Sequence, residues 1–496
     1  MIELSEKEYK RMSFIGRKII FSLYFIVFAS FAFADPTNYT YNYDFWQEQV
    51  ASPDAYRASE YIIGPSLGLE HFREPQGLYV RDNRIYICDS GNNRIILIEV
   101  DETGAHNVAR VVSSVMIDGV ESALGNPQDI FEDRDGALYI TDNRNQRVLK
   151  LDKDWNHVYT IEKPDDESFA DNMEFLPSKV VVDFAGRIFV QAMNVNKGLL
   201  EFDSRGEFAG YMGANKVHVN PIDYIWKLLA TQAQRERLDL FIPTEYSNVA
   251  LDNDGFIYVT NSSGQLGQVD PIRRLNAMGQ DILIRNGYED PIGDIVYGNA
   301  GGISGRSRFI DIVAFDNDSY AAFDRTRGRI FMYDFQGNLL YVFGGVGNRE
   351  GYFQQPAALD KMGTAIYALD SRAASLTRFD LTLYGSLIND ALNEYKAGRY
   401  ESSAVVWEEV LKMNGNYDLA YIGIGRAALR QGDYQKAMRY YKLKHHREGY
   451  GKAFQLYRKQ WMEVNLWKIL LVLSMAVLIP FATIKTIKLI KEIKEA

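Results

Sequence analysis

Asp129, Asn248 and Asp311 carry oxygen donors and stand at equivalent places in separate segments of the chain, with Lys179 at a fourth such place. Carboxylates and an amide converging in this way could hold Ca²⁺ or Zn²⁺ and activate a bound water. Lys179 fits poorly in such a set, because its ammonium would repel the cation. Gln76 and Gln128 complete six polar candidates for ligand binding at a channel mouth. Polar groups also ring a channel simply because water fills it. On that reading no catalytic residue, no metal ligand and no cofactor is assigned, and a divalent metal is the alternative.

Other chemistry is thinly represented. His71, His106, His157, His218 and the adjacent His445–His446 offer no metal-ligand spacing on one strand or helix. Asp133-Arg-Asp135-Gly and Asp252-Asn-Asp254-Gly lack the further oxygen ligands and distal Glu of a calcium loop. There is no Gly-Lys-Ser/Thr phosphate loop, no Gly-x-Ser-x-Gly elbow and no paired-cysteine motif. Cys88 is the only cysteine, so no intrachain disulfide can form, and it is expected to pack inside a strand. With 55 Lys+Arg against 65 Asp+Glu, the net charge of −10 excludes a general nucleic-acid binder.

The elements that must position these groups come from a repeat. Six short apolar segments begin at Gly77, Asp129, Lys179, Asn248, Asp311 and Ala357. About ten residues on, each is followed by a second strand ending Asp89, Asp142, Ala192, Asn261, Asp324 or Asp370. Turn residues such as Asp133–Gly136 and Asp252–Gly255 separate the two, as tight hairpins require. Four short strands per unit of roughly 45–50 residues describe blades of a propeller. The motif resembles NHL repeats: Gly77, Asp89, Asn93 and Arg94 match in the first blade, Asp142 and Arg147 in the second, Asp324 and Arg329 in the fifth. The resemblance implies a six-bladed NHL-type propeller over 61–385, mainly β, and its aspartates read as structural carboxylates bonding turn amides or the arginine five residues on. It also raises a lactonase-like or lyase-like metal enzyme as the alternative function. NHL-type lyases are built around several channel histidines, which the aligned openings lack.

Closure is legible too. Tyr61-Ile-Ile-Gly…Phe72-Arg-Glu-Pro75 echoes Tyr341-Val-Phe-Gly…Phe353-Gln-Gln-Pro356, so Tyr61–Ile63 is expected to supply the outer strand of the last blade. That would seal the ring and remove an open sheet edge. Residues 220–240 break the period with an amphipathic helical pattern and read as an insertion between blades three and four. The aromatic stretch Tyr39–Trp46, within 35–60, could stack on sugars but is expected to pack along the propeller wall.

Beyond the blades the period becomes 34: Ala397-Gly-Arg-Tyr400 and Gln431-Gly-Asp-Tyr434, with Trp407 and Tyr441 in register. This resembles tetratricopeptide repeats over 386–464, which imply either a partner-peptide groove or a helical spacer. Residues 1–34 have a basic start, an apolar run and Ala32-Phe33-Ala34, the pattern of a secretory signal peptide cleaved after Ala34; an uncleaved anchor is the other reading. The apolar run 466–484 is long enough for one transmembrane helix, and the lysine-rich tail 485–496 is expected to be cytoplasmic. This order of parts resembles exported NHL/TPR proteins of Gram-positive bacteria, whose genes tend to lie near sugar-uptake transporter components. It implies a cell-membrane protein with an extracytoplasmic propeller binding a protein or glycan partner, and a membrane transporter component as partner of the helical unit.

Overall fold

A computed structural model describes residues 40–166, 169, 174–213, 245–261, 270–287, 289–294 and 305–495. The segment 1–34 and the insertion at 220–240 fall outside the described residues. Six antiparallel sheets form the blades of a propeller, and a C-terminal region of five helices follows.

The innermost strands are Gly77–Arg81, Pro127–Glu132, Leu176–Val182, Tyr246–Leu251, Phe309–Ala314 and Pro356–Met362. Each pairs with the next strand in sequence, as adjacent strands joined by tight turns do. The turns follow from residue type. In Asp133–Gly136 the Asp133 carboxylate accepts the N–H groups of Asp135 and Ala137 at 2.9 Å each. Gly136 supplies the φ of +85° that a side chain would resist. Five of the inner strands carry an irregularity in register after their first or second residue, at Pro127/Asp129 for example, which turns the next side chain toward the axis. Blade four shows three strands among the described residues.

The N-terminal chain adds strands to two blades and closes the ring at one of them. Its strand Tyr56–Ile63 pairs along its length with Ser375–Leu381 as the outer strand of blade six. The latch therefore starts five residues before Tyr61, because Tyr56 is itself buried against Phe343. Upstream, Tyr41–Tyr43 adds to the outer strand of blade five and folds back on Gln49–Ala51. Tyr41 is fully buried there, whereas Trp46 at the hairpin tip is 70% exposed and lies near Phe45 and His445.

The helices are α1 (Leu383–Lys396), α2 (Tyr400–Met413), α3 (Asp418–Gln431), α4 (Tyr434–Leu443) and α5 (Arg447–Glu495). Thr382 caps α1 by accepting the N–H of Gly385. One core runs without a break from blades five and six into this region: Tyr56, Tyr341, Phe343 and Phe379 pack with Tyr384, Ile388, Trp407, Tyr417 and Ile424. Trp407 lies so close to Gly423 that a Cβ there would sit 2.4 Å from its indole nitrogen. The Tyr417 hydroxyl donates to the carbonyl of Leu340 at 2.8 Å. Phe335 of blade five stacks on Tyr395 of α1, and Lys396 pairs with Asp318. The faces of α1 and α3 toward the propeller are thus filled by the chain itself. α5 leaves this body as a single helix long and apolar enough to cross a membrane.

Candidate functional site

Side chains at one register position of the inner strands meet at the axis. They are Asp129, Lys179, Asn248 and Asp311, with Gly77 and Ala358 at the same place in blades one and six. Lys179 Nζ lies 3.4 Å from Asp129 Oδ1 and 3.9 Å from Asp311 Oδ2. The Asn248 amide donates to Asp311 Oδ1. Gly77 is required by its neighbour: a Cβ would meet the Gln128 carbonyl at 2.4 Å.

The carboxylates also join the blades. Asp129 Oδ2 accepts the N–H of Val180 in blade three at 3.1 Å, and Asp311 Oδ2 that of Leu359 in blade six at 2.8 Å. Asp360 performs the same task between blades six and one, accepting from Val80 N–H at 2.6 Å. Sequence reasoning aligned blade six at Ala357 and so passed over Asp360; the structure places Ala358 at the axial position. It stands two residues beyond Ala358, hence on the same side of the strand. Glu132 adds a clasp between blades one and two through the Tyr86 hydroxyl (2.7 Å) and Arg84 (2.8 Å).

Electrostatics follow from burial. Loss of water raises the Asp129 carboxyl to about 6 despite Lys179 beside it, and raises Asp360 to about 7 despite two backbone N–H donors. Asp311 is raised for the same reason. Burial works against the Lys179 ammonium, but Asp129 and Asp311 outweigh it and hold its pKa above the ordinary lysine value. At neutral pH Asp129 and Lys179 therefore face each other as an ion pair. Burial also pushes the Cys88 thiol well up, which leaves it inert.

Above this layer a cavity of about 550 Å³ widens toward the hairpin turns that link first and second strands. Its rim includes Asp82, Asp135, Asn253 and Lys361, and Arg134 of blade two stacks on the Phe184 ring of blade three. Apart from Lys361, near the end of its inner strand, the rim residues lie in turns, where side-chain type alone gave no signal. Gln76 and Gln128 do not line this cavity. They sit at the other end of the inner strands, where Gln76 Nε2 reaches the Glu74 carbonyl at 3.4 Å. Among the described residues no three His, Cys, Asp or Glu side chains converge in a way that could hold a metal ion.

The recurring aspartates at the ends of the second strands act inside their blades. Asp89 accepts from Arg94 Nε (2.7 Å), Asn92 and the Arg73 N–H, and Asp142 repeats the set with Arg147, Asn145 and the Gly125 N–H. Each tethers the loop that enters its own inner strand. Blade five departs from this. Asp324 accepts the backbone N–H groups of Arg308 and Thr326, while Arg329 turns instead to Asp294 (2.9 Å) and the Tyr41 hydroxyl (2.6 Å).

The NHL repeat family profile matches residues 72–96, the stretch holding Asp89, Asn93 and Arg94. No curated protein matches the chain. Among solved structures it is similar to virginiamycin B lyase from Staphylococcus aureus, at 12% identity and a TM-score of 0.39, covering 66% of this chain and 100% of that one. It is also similar to Kuenenia stuttgartiensis hydrazine synthase, at 13% identity and a TM-score of 0.36, covering 63% and 96%. A protein of unknown function from Bacteroides caccae follows, at 10% identity and a TM-score of 0.34, covering 58% and 87%. At these values no residue role passes from one chain to the other. The chain carries an NHL repeat in the first blade of a six-bladed propeller.

Proposed function

We propose that the chain is a membrane-anchored extracytoplasmic binding or scaffold protein, with 1–34 as its export signal and 466–484 as its anchor. The propeller binds a protein or glycan partner at the cavity mouth. The 386–464 region, read as tetratricopeptide-like, holds it beside a membrane partner of the sugar-uptake transporter kind, as the resemblance to exported NHL/TPR proteins suggests. One observation carries the reading: the ionisable groups at the channel floor are bonded to one another or to the backbone of the neighbouring blade. Groups so committed hold a scaffold together and are not disposed to transfer protons. The continuous core between propeller and helices supports rigid presentation of the cavity above the membrane.

The test is metal content and binding of the full-length protein in detergent. The expected outcome is no stoichiometric Ca²⁺ or Zn²⁺, with glycan-array or cell-wall pull-down signal lost on Arg134→Ala or Phe184→Ala. One equivalent of metal, lost on Asp311→Ala, would overturn the reading in favour of an enzyme.

A further inference from the structure

From Arg458 onward α5 runs clear of the body with almost all its side chains exposed. Tyr450, Phe454, Tyr457, Trp461 and Val464 follow one another at alternating intervals of four and three residues, and Leu471, Met475 and Leu478 continue the series into the apolar run. Except for Tyr457, whose hydroxyl accepts from Gln435 of α4, these side chains are 38% to 61% exposed. Tyr450 and Phe454 already stack face to face. Such 3–4 spacing is the seam of a two-stranded coiled coil.

Lipid cannot cover all of it. Phe454 lies 12 residues before Leu466 and Tyr450 lies 16, about 18 Å and 24 Å along a helix. The headgroup zone is only about 5–8 Å deep on each side. Trp461 and Val464 fall inside that zone; the two upper rings stand beyond it.

We propose that this stripe pairs with the same stripe of a second copy, forming a parallel two-helix stalk. The inference rests on reading α5 as a membrane span, which makes every copy point the same way. The positions beside the seam suit a copy of itself. In a parallel pair Gln460 faces Asn465, and Arg458 lies toward the face where Ala453 is buried against its own body, so no like charges meet beside the seam. Lys468 is the single charged residue at a seam position, where a lone lysine is tolerated and sets register. At the end of the span its ammonium can lift to the headgroups. Besides the bond from Gln435 to the Tyr457 hydroxyl, the body holds α5 beside the seam. It grips α5 through Gly449, against the Tyr441 ring, and the buried Ala453. Those residues lie about a quarter turn from the seam, since neighbouring residues on a helix are about 100° apart.

Single cysteines added to the full-length protein in membranes test this, with buried Cys88 left in place. Under mild oxidation Tyr450→Cys, Phe454→Cys and Trp461→Cys should give disulfide-linked dimers, and Lys452→Cys and Lys459→Cys should not. Phe454→Glu should halve the particle mass in detergent. Dimers on both faces, or on neither, overturn the proposal. So does a seam shielded from a soluble maleimide without chain-to-chain linkage, which would mean another protein or lipid covers it. Maleimide labelling of intact cells tests the span separately. Lys452→Cys, off the seam, should react from outside and Lys488→Cys should not; if both react, the membrane reading fails while the oxidation result still judges the pairing.

Discussion

The channel floor and the seam between propeller and helices both join parts of the molecule, by opposite physics. At the floor, buried carboxylates and one lysine clasp neighbouring blades through charge-assisted bonds. At the seam, aromatic side chains from blades five and six, the N-terminal latch and three helices share an apolar core. Charged clasps are directional and set which blade meets which; apolar burial is non-directional and supplies bulk stability. The polar residues that look most like chemistry are therefore the ones most committed to assembly.

The sharpest break of this contrast is Lys179→Met. It leaves Asp129 and Asp311 buried without their cation and should cost about 3–5 kcal/mol at pH 7.5, read as a lower urea midpoint. Both carboxyls would then ionise only at still higher pH, so part of the loss should return at pH 5. A midpoint unchanged with pH would show that the floor charges do not matter to the ring.

At the seam, Tyr384→Ala should cost about 3 kcal/mol by leaving a cavity between α1 and the latch. Limited proteolysis should then cut first between the propeller and α2, with the blades left intact. Tyr417→Phe removes only the bond to Leu340 and should cost about 1 kcal/mol.

The intact protein should show the floor's signature in its pH dependence. Asp129 and Asp360 have folded pKa values of about 6 and about 7, above the ordinary 3.8, so the folded state holds more protons than the unfolded one between these limits. Their contribution to stability is then greatest below pH 4 and declines as pH rises toward 7. Asp360→Asn should flatten the upper part of that decline in a melting series. The smallest effect belongs to Trp46→Ala: with its ring 70% exposed, the melting midpoint should move by less than about 0.5 kcal/mol equivalent.

Much of the ring was legible because it repeats. Six inner strands, the Asp–Arg pairs of blades one and two, and closure by the N-terminal chain could all be read from spacing, since each blade solves the same burial problem with the same residues. Departures from the repeat were not. Arg329 sits five residues after Asp324 like its counterparts, yet bonds Asp294 and Tyr41, because the N-terminal strand arrives beside it from 288 residues away. Gln76 and Gln128 aligned with the channel set but face the other end of the inner strands, since one residue of register separates them from the axial position. Asp360 was missed because the sixth segment was aligned at Ala357, one residue short of the axial Ala358, which put Asp360 on the wrong side of the strand.

The order of amino acids alone determined the period, the turns and the apolar faces, because those depend on neighbours a few residues apart. Which carboxylate clasps which blade, and that α1 and α3 lie against the propeller with Tyr417 reaching Leu340, was decided only in three dimensions. Those contacts join residues far apart in the chain, and their partners are chosen by the curvature of the closed ring.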